Sequence, residues 1–264
     1  MKTREYPEPV WLESLASRAG NLIHRGFRDA VGFQLKKDGT PVTTVDQAIN
    51  DLVLQEFTQD FPEIDVISEE GCRRVPGAQY TALCDPLDGT FPFCHGIRLS
   101  TFSLAILENG SPISAVVHDP FANLSYCAEK GSGTCIRGGQ PLRVSKLKTV
   151  ERSSLAVLWW KNAPYRLHDV CAKLMMAGVS WVNPGSIAIF GGLIAGGEFE
   201  GSVFPGRHGW ETAAMQLLVE EAGGKATDIY GRPLKYGPDG EIEGHIMSNG
   251  LIHDELVALV QSCQ

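Results

Sequence analysis

The stretch Thr81-Ala82-Leu83-Cys84-Asp85-Pro86-Leu87-Asp88-Gly89-Thr90 carries an apolar strand pattern into two carboxylates three residues apart, followed by a Gly-Thr pair. Hard divalent cations want oxygen ligands, and magnesium is commonly shared between protein carboxylates and a substrate phosphate. Pro86 holds Asp85 in extended backbone, and Gly89 permits a tight turn close to an anion. Thr90 adds a hydroxyl where amides at a helix start would face a phosphate. Asp, Pro and Gly are also what ordinary turns use, so the pattern alone does not separate a site from a turn. Residues elsewhere must decide.

Outward from this stretch, the chain reads as mixed α and β. Trp11, Leu15, Ala19, Leu22 and Ile23 recur at helical spacing, which predicts an amphipathic helix over about 9–30. Gly32 to Pro41, with Lys36-Lys37-Asp38-Gly39, reads as a polar loop. Ile49, Leu52, Val53 and Phe57 mark a second helix that starts near Thr44 to Asp46 and stops before Pro62. Asp46 then sits at a helix start, available for a cap or a site.

Asp65 to Ser68 reads as a short strand delivering Glu69-Glu70, and Thr81 to Asp85 as another delivering the opening pattern. Phe102 to Leu107, a turn at Asn109-Gly110, Ile113 to Val117 and Leu124 to Ala128 predict consecutive antiparallel strands. Later, helices are expected over about 165–177, 186–196, 210–222 and 252–262, and strands near 179–183, 199–204, 225–228 and 245–248. The expected organisation is one compact unit over residues 1–264, with an α+β half to about 148 and an α/β half from about 149.

Composition narrows the classes. A hydrophobic content of 43% and a charged content of 20% are those of a globular chain with a large core. A net charge of −8 argues against a nucleic-acid polymer as partner, since such surfaces are basic. It does not argue against phosphate, because bound cations invert the local charge. The seven cysteines lack paired metal-ligand spacing, which points to reduced thiols in a cytoplasmic setting and away from zinc. Met1 to Val10 is charged and carries two prolines, unlike a signal peptide. No apolar run approaches the ~20 residues of a membrane span.

Asp46, Glu69, Glu70, Asp85, Asp88 and Glu211 all fall at expected starts or ends of elements. A single such carboxylate is ordinarily just solvated, but several at strand ends can converge in one crevice. Val42-Thr43-Thr44-Val45-Asp46, Ser68-Glu69-Glu70, Asp85-Pro86-Leu87-Asp88-Gly89-Thr90 and Trp210-Glu211-Thr212-Ala213-Ala214 occur in the order of the inositol monophosphatase family. The resemblance spans nearly the whole chain and includes Gly185-Ser186, Glu221-Ala222-Gly223-Gly224 and Ser248-Asn249-Gly250.

This resemblance implies a layered α-β-α-β-α sandwich and a lithium-sensitive, magnesium-dependent phosphomonoesterase, as a homodimer. Its substrate would be a small phosphorylated alcohol such as a sugar, polyol, inositol or histidinol phosphate. An adenosine bisphosphate 3′-nucleotidase and a non-catalytic, metal-binding regulatory relative are the alternatives. Carried over residue by residue, Glu69, Asp85 and the Leu87 carbonyl resemble the ligands of a first magnesium, and Asp85, Asp88 and Glu211 those of a second. Glu69 would reach a third ion through water. Asp46 and Thr90 resemble the pair that deprotonates the attacking water, with Glu70 beside them, and the Gly89 and Thr90 amides would hold phosphate. Gly185 and Ser186 complete the substrate site.

Three departures bear on function. Most family members have Trp-Asp where this chain has Trp210-Glu211, although the related fructose-bisphosphatase branch uses Glu. Inositol-specific members carry a carboxylate where this chain has Phe204, which leaves a ring to stack on a substrate or to pack in the core. Phe91-Pro92-Phe93 replaces the usual residues after the Gly-Thr pair, and Pro92 bears on whether a helix starts there. Arg207 would lie beside the pocket to meet a substrate anion or else be solvated. Lys36 would lie near a metal-bound water or be a loop charge. His95 and His118 read as structural, and Trp159-Trp160 as a buried or interface pair.

Overall fold

The computed structural model describes residues 5–28, 32–37, 39–158 and 163–264. The Trp159-Trp160 pair and the last two residues of the expected first helix lie outside the described residues. Helix α1 (Pro9–Arg28) comes first, and strands β1 (Phe33–Leu35) and β2 (Pro41–Thr43) pair antiparallel where the sequence suggested only a polar loop. Helix α2 (Thr44–Asp60) follows directly. Then come β3 (Asp65–Ser68), β4 (Gly71–Arg73), β5 (Tyr80–Asp88) and the short helix α3 (Thr90–Cys94). A meander follows: β6 (Thr101–Glu108), β7 (Ser111–Asp119), β8 (Leu124–Glu129), β9 (Gly133–Ile136) and β10 (Gln140–Pro141).

The second half runs β11 (Ser154–Val157), α4 (Leu167–Met176), β12 (Ser180–Val182), α5 (Ala188–Gly196), β13 (Gly201–Phe204) and α6 (Gly209–Glu221). It ends with β14 (Lys225–Thr227), β15 (His245–Ser248) and α7 (His253–Gln261). An eight-stranded sheet has the order β10-β9-β8-β7-β6-β5-β3-β4, and a five-stranded sheet the order β12-β11-β13-β15-β14.

Successive residues of the buried strands join different cores, and this fixes the layers. On β6, Phe102, Leu104 and Ile106 pack with α1 and α2, while Ala105 and Leu107 join the core around α5 and α6. On the other sheet, Ala156, Phe204 and Met247 face that same central core, and Leu155, Val157, Val203 and Ile246 pack with α4 and α7. Successive side chains on a strand point to opposite faces, so a strand covered on both sides reads as a continuous apolar run. The result is α1/α2, sheet, α5/α6, sheet, α4/α7: the layered α-β-α-β-α sandwich.

Pro92 does not prevent a helix after the Gly-Thr pair. It occupies the third position of α3, behind the N-cap Gly89. The first four N–H groups of a helix have no intrahelical partner, so the missing one costs nothing there.

Candidate active site

The opening stretch ends in a β-bulge. On β5, Asp85 stands opposite Ser103 and Asp88 opposite Thr101, so two residues, Pro86 and Leu87, face the single Phe102. In a regular strand, side chains an odd number of residues apart face opposite sides. The extra residue re-phases the strand, and Pro86 takes the place where a ladder donor is absent. Asp85 and Asp88 thereby aim the same way. Leu87 N–H donates to Asp85 Oδ1 at 2.9 Å and holds that carboxylate.

Asp85, Asp88 and Glu211 offer carboxylate oxygens that all lie within 4.8 Å of one another. Glu211 comes from the first turn of α6, where the helix N-terminus favours an acid. Asp88 is held mainly through Oδ2. It accepts from Ser186 Oγ (2.6 Å), Ala188 N–H (2.8 Å), Ile187 N–H (3.0 Å) and Thr101 Oγ1 (3.2 Å). Three of those donors open α5, so Asp88 joins the two halves of the chain as well as facing the pocket.

Asp46 serves two partners. Thr43 and Asp46 form a capping box at the start of α2, with Asp46 Oδ2 accepting from Thr43 N–H at 2.8 Å. Its other oxygen, Oδ1, lies 3.0 Å from Thr90 Oγ1. Thr90 Oγ1 is also 3.1 Å from the Leu87 carbonyl, and with one proton it donates to one acceptor at a time. Gly89 precedes it at φ +87°, the left-handed region.

Glu69 and Glu70 flank Lys36, which reaches in from the β1–β2 connection. Lys36 Nζ lies 2.6 Å from Glu69 Oε1 and pairs with Glu70 Oε1, while Gln47 Nε2 donates to Glu70 Oε2 at 3.1 Å. Lys36 is therefore not a solvated loop charge: it pairs with both acids.

A cavity of about 330 Å³ is lined by Glu69, Asp85, Leu87, Asp88, Gly89, Thr90, Gly185, Ser186, Phe204 and Glu211, along with Phe91, Leu158, Asn183 and Ile187. Asp46 and Glu70 adjoin it through Thr90 and through Glu69 with Lys36. Arg207 is not brought to this pocket. It is exposed and lines a separate cavity with His208, Tyr230, Glu241 and Glu243. The chain turns away after Phe204 through Pro205-Gly206, and Ile242 N–H donates to the Arg207 carbonyl at 2.9 Å. Sequence reasoning missed Thr101, Asn183 and Leu158. Thr101 carried no signal beyond lying on β6, and Leu158 directly follows β11, a short strand that the sequence reading did not find. His118 is buried against Ser125 Oγ at 2.8 Å, and the His95 ring lies 4.2 Å from that of Phe91.

Burial, and then the neighbouring carboxylates, pushes Asp85 and Glu211 well above the usual acid range. Glu69 rises to about 7, chiefly through burial, with Lys36 opposing the rise. Burial also raises Asp88, against the donors from Ser186, Ala188, Ile187 and Thr101. Burial works to lower the Lys36 ammonium, but the charges of Glu69 and Glu70 outweigh it and leave it raised. Carboxylates that repel one another in a half-closed crevice call for a counter-charge, and an all-oxygen donor set suits a hard divalent cation. The residues fit such an ion.

Fold and crevice together define a phosphatase of the layered-sandwich type. The chain belongs to the inositol monophosphatase family, whose model matches residues 10–264. A Thermotoga maritima protein named fructose-1,6-bisphosphatase/inositol-1-monophosphatase is 31% identical over 254 residues, covering 93% of each chain. The histidinol-phosphatase of Mycobacterium tuberculosis is 32% identical over 269 residues, covering 92% of this chain and 94% of that one. The Nus factor SuhB of Escherichia coli is 30% identical over 223 residues, covering 82% and 83%. The solved structure of the Thermotoga maritima IMPase superposes with a TM-score of 0.83 at 27% identity, covering 95% of each chain.

Proposed function

We propose that this chain is a magnesium-dependent phosphomonoesterase that hydrolyses a small phosphorylated alcohol, with water as the attacking group. The observation that carries the reading is the meeting of Asp85, Asp88 and Glu211 within 4.8 Å, in the pocket that also holds Thr90. Glu69, Asp85 and the Leu87 carbonyl would hold one magnesium, and Asp85, Asp88 and Glu211 a second. Glu69 would reach a third through water. Magnesium bound there neutralises the phosphate and the charge that develops on the leaving oxygen.

The chain's own groups do the rest. Thr90 Oγ1 takes a proton from the attacking water as its own proton passes to Asp46 Oδ1, 3.0 Å away. A hydroxyl alone is a poor base, which is why the carboxylate behind it is needed. Burial raises the proton affinity of Asp46, against the hydrogen bonds from Thr43 and Thr90. The Gly89 and Thr90 amides open α3 and would bind phosphate, and Glu70 acts with Lys36 at the edge of the site. Gly185 and Ser186 belong to the same substrate pocket, with Ser186 steadying Asp88.

Among the described residues no helix is long and apolar enough to cross a membrane. A homodimer in the cytoplasm, sensitive to lithium, belongs to this reading on the strength of the family. Phosphate release from sugar, inositol, histidinol and nucleotide monophosphates, with magnesium and with chelator, tests it. At least one ester should be hydrolysed with magnesium and none with chelator. Intact metal binding with no release from any ester would favour a non-catalytic relative.

A further inference from the structure

Accepting the phosphomonoesterase reading, the pocket divides by chemistry. Its acids come from β5, from the residue after β3 and from α6, while the ends of β11 and β13 contribute Leu158 and Phe204. Phe91 from α3 and Ile187 at the start of α5 add to this apolar part. We propose that the pocket selects monophosphate esters of alcohols that carry a flat, hydroxyl-poor ring, with Phe204 as the residue that sets the choice.

Phe204 is held rigidly. It is 4% exposed, and its ring lies 5.3 Å from that of His245. His245 is fixed in turn by Thr212 Oγ1 at 2.9 Å, on the residue next to Glu211. A Cβ on Gly206 would fall 2.2 Å from the Phe204 ring, so the chain passes directly against it. The ring is packed into the central core and borders the pocket from there. Phe91 is the opposite case: it is 58% exposed, and its ring lies tilted against that of His95 at 4.2 Å. One fixed ring and one at the pocket's exposed rim suit a planar leaving group, since aromatic pairs gain beyond their buried area.

Two classes of substrate fit poorly. A polyol would turn some hydroxyls against Phe204, Leu158 and Ile187, side chains that offer no acceptor, and the neutral polar side chains of the lining are few: Thr40, Thr90, Asn183 and Ser186. A bisphosphate would bring a second dianion, and among the described residues lining the cavity there is no lysine or arginine to meet it. A volume of about 330 Å³ also lies at the small end of ligand pockets, enough for a phosphoryl group and a single ring.

Steady-state kinetics of the full chain in excess magnesium, on benzyl phosphate, inositol monophosphate and fructose bisphosphate, test the proposal. Benzyl phosphate should lead in kcat/KM by about tenfold or more. Phe204→Gln should bring the benzyl-to-inositol ratio toward one, through a higher KM for the benzyl ester and little change in kcat. If thermal melting shows that this variant does not fold, Phe204→Leu keeps an apolar side chain, removes the ring and should raise the same KM. Phe91→Ala, at an exposed position, should raise it too. Preference for the inositol ester or the bisphosphate, or a ratio unmoved by the variants, would overturn the specificity and leave the phosphatase reading standing. No turnover of any ester would overturn both.

Discussion

Asp88 is one side chain to which the proposed function assigns metal binding and which the fold also uses as a tie. Its carboxylate accepts from Thr101 on β6 and from three donors at the start of α5, about a hundred residues further along the chain. Asp88→Asn keeps one acceptor but turns an NH₂ toward donors, and an unmet buried donor costs about 1–3 kcal/mol. We expect this variant to lose phosphatase activity and to melt several degrees lower. Wild-type melting would show that the α5 contacts carry no stability, and wild-type turnover would remove Asp88 from the metal site. Its place in the site was legible, because Asp-Pro-x-Asp-Gly-Thr follows a strand pattern. Its grip on α5 was not, because nothing local in either segment encodes a contact across that distance. Of the two readings of Arg207, the exposed side chain is the one observed, for a related reason. Nearness to Glu211 in sequence does not carry through the Pro205-Gly206 turn.

The elements that aim the site are the bulge in β5 and the turn at Gly89. Pro86 within a strand pattern was the visible sign of the bulge, since proline in a strand belongs at bulges and edges. Gly89 is required twice over. Its φ is +87°, and an added Cβ would lie 2.7 Å from both the Leu99 carbonyl oxygen and Ser186 Cβ. Gly89→Ala should destabilise the fold by about 1–3 kcal/mol and cut turnover by displacing Thr90. Denaturant melts and kinetics check both, and an alanine variant matching wild type in each would contradict the strained geometry. Other elements escaped a reading by pattern. β1 and β2 are three residues each, and β11 is a short buried strand placed where the halves were thought to join. Short strands give periodicity too few residues to work on.

At the scale of the whole molecule, the α5/α6 layer packs against both sheets, so the halves read from sequence share one core. We expect a single cooperative unfolding transition. Acid should weaken it through the histidines. Burial lowers His118 to about 4, His245 to about 3 and His253 to about 4. A histidine held neutral in the fold contributes stability above its unfolded value near 6.5, and that contribution is lost as pH falls toward the folded value. That contribution should fade between about pH 6.5 and 4.5, while protonation of the raised site acids works in the opposite direction, so the readout is the difference: His118→Gln should lose less stability on acidification than wild type. Parallel profiles for variant and wild type would remove His118 from this account. The individual helices and longer strands were legible from their patterning, whereas the layered sandwich came from the family resemblance, because no local pattern encodes how sheets and helices stack. The central claim is that Glu69, Asp85, Asp88 and Glu211 hold the magnesium that makes this chain a phosphatase. The initial rate of phosphate release from its best ester, followed against magnesium for wild type and Glu211→Gln, tests it most directly. Saturable activation of the wild type, abolished by chelator and lost in the variant, is the expected result. Equal rates with and without magnesium, or a variant that matches wild type, would contradict it.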